Sequence, residues 1–178
     1  MCYARIVSLP ALEHADMPIR EAVPEDFERI WPFFHEIVAA GESYPYPRDM
    51  TREEGLQKWF GETQKVFVFE EDGEILGTYA IKPNAPGLGG HVCNCGYMVA
   101  PAARGRGVAS ALCIHSQNTA VQLGYRAMQY NLVVSTNERA VRLWQKLGLE
   151  IVGRLPKAFN HPRHGYVDAL VMYKWLGD

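Results

Sequence analysis

A chain of 178 residues with 18 Lys+Arg against 20 Asp+Glu, a net charge of −2, 48% hydrophobic and 21% charged residues has the makeup of one soluble domain with a real core. That composition excludes a disordered chain, and the lack of any basic excess argues against nucleic acid as a partner. Apolar runs fall far short of the roughly 20 residues of a membrane span, and residues 1–12 show no interrupted-free h-region or small-residue cleavage site, so a cytoplasmic protein without membrane contact is expected.

Residues 1–16 read as an arm ahead of a domain over 17–178. A short strand is predicted over 18–22. Pro24 then opens a helix with Phe27, Ile30, Trp31, Phe34 and Val38 at helical spacing, ended by Gly41. The stretch 41–49, GESYPYPRD, is a loop by its glycine and prolines, yet it carries Tyr44 and Tyr46. Two readings stay open for these rings: a pocket wall, or packing at the domain edge. Thr51 with Glu54 forms a capping box for a second helix to about Phe60. Residues 65–71 alternate as a strand, Asp72-Gly73 turns the chain, and 74–82 returns antiparallel.

Beyond a Gly/Pro loop, 91–100 reads as a strand and 107–123 as a long helix stopped by Gly124. A strand over 126–134, a helix over 137–147 and closing strands over 149–154 and 165–175 complete the order. This order predicts one mixed α/β (α+β) sheet with helices on both faces. Four cysteines, Cys2, Cys93, Cys95 and Cys113, form no CxxC pair and read as free thiols, with no ligand set for a metal.

The most informative segment is MVAPAARGRGVAS, residues 98–110, where a strand ends and a glycine loop opens the long helix. Glycines let several N–H groups turn toward one point, and a helix N-terminus adds a positive dipole, so the pattern points to phosphate. A dinucleotide fingerprint fails because Ser110 stands where a glycine is wanted and no carboxylate follows near 125–131. The nucleotide-triphosphate loop fails as well, since no Gly-Lys-Ser/Thr occurs.

What remains, Arg104-x-x-Gly107-x-Ala109 after a strand, resembles the pyrophosphate motif of the GCN5-related N-acetyltransferase superfamily. A second stretch, Asn137-x-x-Ala140-x-x-Leu143-Trp144-x-x-Leu147-Gly148-Leu149, is similar to that family's Asn-x-x-Ala-x-x-Leu-Tyr-x-x-x-Gly-Phe. The resemblance spans residues 18–176. It implies a six- to seven-stranded, mostly antiparallel sheet with a splayed central strand pair, and acetyl-CoA as co-substrate without a metal. It further implies pyrophosphate on the N–H groups of Arg104, Gly105, Arg106, Gly107, Val108 and Ala109. The pantetheine arm would pair along Met98, Val99 and Ala100 like an added strand, with Asn137 and Trp144 beside the same ligand. A homodimer is an expectation carried by the same resemblance.

Two departures stand out. Trp144 occupies the place where many relatives hold a tyrosine as general acid, and an indole N–H cannot do that work. The strand over 91–100 lacks the glutamate that often serves as base, and offers His91, Cys93, Asn94, Cys95 and Tyr97 instead. Together with the 41–47 loop, Asn94, Asn131 and Asn137 make the chain similar to fungal acetyltransferases that detoxify azetidine-2-carboxylate. That likeness implies Asn94 and Asn131 as catalytic, Asn94 holding the substrate carboxylate and Asn131 orienting the amine or its water. Glu42, Tyr44 and Tyr46 would line the substrate side. The function expected is acetyl transfer to a small amino or imino acid. The alternatives are an acyl-CoA-binding sensor with little turnover, and an N-acetyltransferase of peptides or proteins. The segment NHPRH, residues 160–164, reads as a solvated polar loop, with a contact to the CoA 3′-phosphate or the acceptor site as the other reading.

Overall fold

The computed structural model describes residues 18–177, so the 1–16 arm and Cys2 lie outside the described residues. Strand β1 (Ile19–Glu21) precedes a one-turn 3-10 segment at Pro24–Asp26, which leads into helix α1 (Phe27–Ala40). Helix α2 (Arg52–Trp59) starts at the expected capping box, Thr51 accepting the Glu54 N–H. Strands β2 (Lys65–Glu71) and β3 (Glu74–Pro83) form the hairpin, with Asp72 and Gly73 both at positive φ, 52° and 80°, as a tight hairpin turn requires. Then follow β4 (Val92–Val99), α3 (Val108–Gln122), β5 (Ala127–Val134), α4 (Glu138–Lys146), β6 (Glu150–His161) and β7 (Gly165–Trp175).

The seven strands form one sheet in the order β1-β2-β3-β4-β5-β7-β6, with β4 and β5 the parallel pair and every other pairing antiparallel. Alternation along each strand feeds two cores. On one face α1 and α2 bury Phe27, Ile30, Phe34 and Trp59 against Val66, Val68 and Met98. On the other, α3 packs Leu112 and Cys113 against Tyr79, Cys95 and Met128. The three described cysteines are free and buried.

One boundary differs from the sequence reading. Strand β6 does not stop at residue 154 but runs to His161, through an irregularity between Leu155 and Phe159 where Lys157 takes φ 54°. Pro156 and the exposed residues around it mimic a loop, yet β6 is an edge strand, where a proline needs no ladder partner on its outer side. The solvated-loop reading of 160–164 is therefore corrected. His161 ends a strand and is buried, and only Pro162, Arg163 and His164 form the turn into β7.

Candidate active site

The parallel ladder between β4 and β5 is short, joining Val92 to Ala127, Cys93 to Met128 and Asn94 to Gln129, and then it stops. Two features part the strands. Asn94 donates from Nδ2 to the Gln129 carbonyl at 2.8 Å, filling the last rung with a side chain, and β5 shifts register against β7 between Tyr130 and Val133. Such a bulge bends the strand that bears it. Beyond this point β4 and β5 diverge and a cleft passes between them.

The cleft holds two connected cavities, of about 400 and about 680 Å³, which share Val99, Arg104, Asn137 and Trp144 in their walls. The smaller lies on the α1–α2 side. Asn94, Asn131, Tyr44, Tyr46, Lys58 and Lys82 line it. The larger lies at the N-terminus of α3, walled by Arg104, Gly105, Gly107, Val108, Ala109 and, from elsewhere in the chain, Arg139, His161 and Arg163.

In the larger cavity the glycine loop keeps only part of the expected donor set, because the Arg104 and Arg106 N–H groups are taken by the Pro101 and Ala103 carbonyls at 3.2 and 3.3 Å. Gly105 and Gly107 sit at φ 83° and 84° with nothing within 4 Å of where a Cβ would stand, leaving an open cradle before the helix. The first donor inside α3 is the Ala111 N–H, bonded to the Gly107 carbonyl at 3.0 Å, so the N–H groups just ahead of it have no helical acceptor. Among the described residues Glu42 is the one carboxylate in that wall, and Arg163 pairs with it at 2.5 Å. An open cradle, a helix N-terminus of 15 residues and unopposed arginines fit a pyrophosphate.

Along β4, the Ala100 N–H bonds the Leu76 carbonyl on the β3 side, so by alternation the main-chain groups of Tyr97 and Val99 face the cleft. The Tyr97 carbonyl already accepts a 2.6 Å hydrogen bond from the Tyr44 hydroxyl. Tyr44 therefore does both things its ring could do. It forms the cavity wall, and it packs on Tyr46 and Trp59 with centroids 5.2 and 6.2 Å away.

The structure thus brings together most of the residues expected from sequence. Met98 and Val99 reach the cleft, whereas Ala100 lies outside both walls with its N–H turned to β3. Arg106 also lies outside, its guanidinium paired with Glu71 on the β2–β3 hairpin. Glu42, expected at the substrate side, lines the larger cavity instead, where it pairs with Arg163 of the β6–β7 turn. Asn131 sits at the bulge, accepts from Gln129 Nε2 at 2.8 Å and donates to Asn84 Oδ1 at 2.7 Å. Asn137 both caps α4, accepting the Ala140 N–H at 3.3 Å, and lines the cleft. His91 is exposed and outside both cavities.

Tyr130, Lys58 and Lys82 escaped the sequence reading, which named Tyr97 and Cys95 only as polar residues of their strand. Tyr97 and Tyr130 join hydroxyls at 2.8 Å beneath Trp144, whose ring lies 5.0 and 5.5 Å from theirs. Burial pushes both hydroxyls well above the ordinary tyrosine range, so they stand neutral. Burial also raises the Cys95 thiol, which makes it a poor thiolate nucleophile although it touches the smaller cavity. Lys58 and Lys82 had no sequence signal at all, since only strand register and helix packing bring them to one cavity.

A splayed parallel pair beside a glycine cradle at a helix N-terminus defines an acyl-transferring enzyme that binds a phosphate-bearing carrier. The chain belongs to the acetyltransferase (GNAT) family, whose profile matches residues 27–149, and it is an N-acetyltransferase by class. It is 30% identical over 156 residues to the N-acetyltransferase aca1 of Schizosaccharomyces pombe, covering 78% of this chain and 75% of that protein. A GCN5-related N-acetyltransferase from Kribbella flavida superposes with a TM-score of 0.84 at 45% identity, covering 88% of this chain and 96% of that one. The fold is shared with yncA from Salmonella typhimurium, solved with its cofactor acetyl-CoA, at a TM-score of 0.78 and 22% identity over 92% of this chain and 96% of that one.

Proposed function

We propose that the protein transfers the acetyl group of acetyl-CoA to the amine of a small amino or imino acid, by direct attack of the amine on the thioester. The observation that carries this reading is the two-chambered cleft. One chamber ends in a phosphate cradle, the other in a compact, aromatic-walled cavity of about 400 Å³, and the splay between β4 and β5 connects them. The acetyl-CoA bound by the structural relative yncA supports the assignment of the donor.

In this reading acetyl-CoA supplies an activated acetyl carbonyl at the seam of the two cavities. The cleft-facing N–H groups of Tyr97 and Val99 are placed to stabilise the oxyanion, and losing such a donor typically costs about 10²- to 10³-fold in rate. Asn94 keeps Oδ1 and one Nδ2 hydrogen for the acceptor, its other hydrogen being held by Gln129. Asn131, fixed by Asn84 and Gln129, orients the amine or its water. Among the described residues no Asp, Glu or His lines the smaller cavity, so in this reading the neutral amine attacks and its proton leaves to water. Positioning supplies most of the rate. Trp144 serves as a wall between the chambers and gives the thiolate no proton.

The test is thiol release from acetyl-CoA across azetidine-2-carboxylate, proline, 4-hydroxyproline, methionine, phosphinothricin and a lysine peptide. Saturable turnover of amino or imino acids is expected. Turnover of the lysine peptide alone would overturn the small-acceptor reading, and tight acetyl-CoA binding without turnover of any amine would favour a sensor.

A further inference from the structure

The charge of the smaller cavity is one-sided. Lys82 on β3 and Lys58 on α2 line it, Arg104 stands at the seam, and among the described residues no carboxylate lines it with them. Among the described residues neither lysine takes part in an ion pair. Lys58 instead lies over the Tyr46 ring, 5.3 Å from its centroid. Lys82 is directly opposite Asn94 in the β3–β4 ladder, and facing residues of an antiparallel pair project to the same side. One cavity wall therefore carries both a cationic and an amide side chain, a combination that suits an oxyanion and disfavours a second cation.

We infer that Lys82, assisted by Lys58, is the specificity determinant of the acceptor site, and that the acceptor is an amine carrying an oxyanion such as a carboxylate. This rests on the small-acceptor reading above and goes beyond it in two ways. It assigns the anion's charge partner to Lys82 rather than to Asn94 alone, which is neutral and can only orient. It also excludes polyamines and lysine side chains as acceptors, because their extra positive charge enters a cavity that offers cations and no counter-ion. A charge-assisted hydrogen bond to such an anion is worth roughly ten- to a hundredfold in affinity, and a neutral carboxamide of the same shape forfeits it.

The experiment compares initial rates of thiol release for azetidine-2-carboxylate with its carboxamide, and for methionine with methioninamide, with putrescine as the cationic probe. Wild-type protein and the Lys82→Met, Lys82→Arg and Lys58→Met variants are measured, with the KM for acetyl-CoA as the control for intact folding. Wild type is expected to prefer each acid over its amide by about tenfold or more in kcat/KM, and to leave putrescine untouched. Lys82→Met should bring that ratio toward unity by raising KM for the acid, with the amide and acetyl-CoA constants unmoved. Lys82→Arg should keep the preference, and Lys58→Met should weaken it partially. An unchanged acid-to-amide ratio in Lys82→Met, with amino acids still turned over, overturns this inference and leaves the small-acceptor reading standing. Wild-type preference for putrescine or for the amides overturns the inference outright, and failure to acetylate any of these amines removes the reading on which it rests.

Discussion

The Tyr44 hydroxyl donates to the Tyr97 carbonyl at 2.6 Å, tying the loop after α1 to the central strand where that strand leaves its neighbour. The bond satisfies a carbonyl that the splay would otherwise leave without a partner, and it fixes an aromatic wall over the smaller cavity. Burial raises the Tyr44 hydroxyl well above the ordinary tyrosine range, so it stays protonated and able to donate at neutral pH.

Tyr44→Phe keeps the ring and removes the donor. A buried carbonyl left unpaired costs about 1–3 kcal/mol, and the loosened loop is expected to raise the acceptor KM by roughly tenfold with the acetyl-CoA KM unchanged. Steady-state kinetics in both substrates check this. Equal acceptor constants in the variant and wild type would remove Tyr44 from the acceptor wall.

Asn94→Ala deletes the side-chain rung to Gln129 and the cavity's central amide together. The expected outcome is a raised acceptor KM against an unaltered acetyl-CoA KM. If acetyl-CoA affinity falls instead, Asn94 acts by setting the splay rather than by meeting the acceptor.

Gly107→Val introduces a β-branched residue at φ 84°. No neighbour obstructs its Cβ, so the penalty is backbone strain of about 1–2 kcal/mol, relieved by turning the peptide planes that face the cradle. Acetyl-CoA Kd should weaken by about tenfold or more, while the Tm falls by only a few degrees. Calorimetric titration against thermal melts separates the two effects, and an unchanged Kd would dismiss the cradle.

Trp144 is 8% exposed and its ring lies between the cleft and the Tyr97–Tyr130 pair. Trp144→Tyr preserves a wall and is expected to hold kcat within about tenfold of wild type, since no general acid is lost. Trp144→Ala should cost about 3–5 kcal/mol in denaturant unfolding, from the cavity it leaves. A collapse of kcat in the tyrosine variant would show that the indole shape itself positions the thioester.

Asp26, 6% exposed, accepts two bonds from Arg20 at 2.7 and 2.8 Å and one from the Val23 N–H at 3.0 Å, joining β1 to the start of α1. The Arg20 guanidinium holds its carboxyl below the usual range. A carboxyl depressed in the folded state stabilises above its unfolded value of roughly 4, and that stability fades as pH falls through the folded value. Arg20 is 42% exposed, so solvent screens the pair. Asp26→Asn should therefore lose about 1–2 kcal/mol at pH 7, and the gap to wild type should narrow in urea unfolding at pH 3. A gap independent of pH would mean that the hydrogen bonds matter and the charge does not.

Much of this architecture was legible because its determinants are local. Apolar spacing gave α1, the Thr51–Glu54 box gave α2, Asp72-Gly73 gave the hairpin, and the glycine loop with the Asn137 stretch gave the open turn before α3 and the family. Each is a short-range pattern imposed by helix period, turn geometry or missing Cβ atoms. The lining of the smaller cavity was decided by tertiary structure. Lys82 meets Asn94 through strand register, Lys58 reaches the same cavity through the packing of α2, and Glu42 lines the larger cavity, paired with Arg163 of the turn after β6. Strand pairing and long-range ion pairs join residues that are distant in the chain. Their spacing therefore holds no trace of the contact, and only the folded sheet specifies which charges share a cavity.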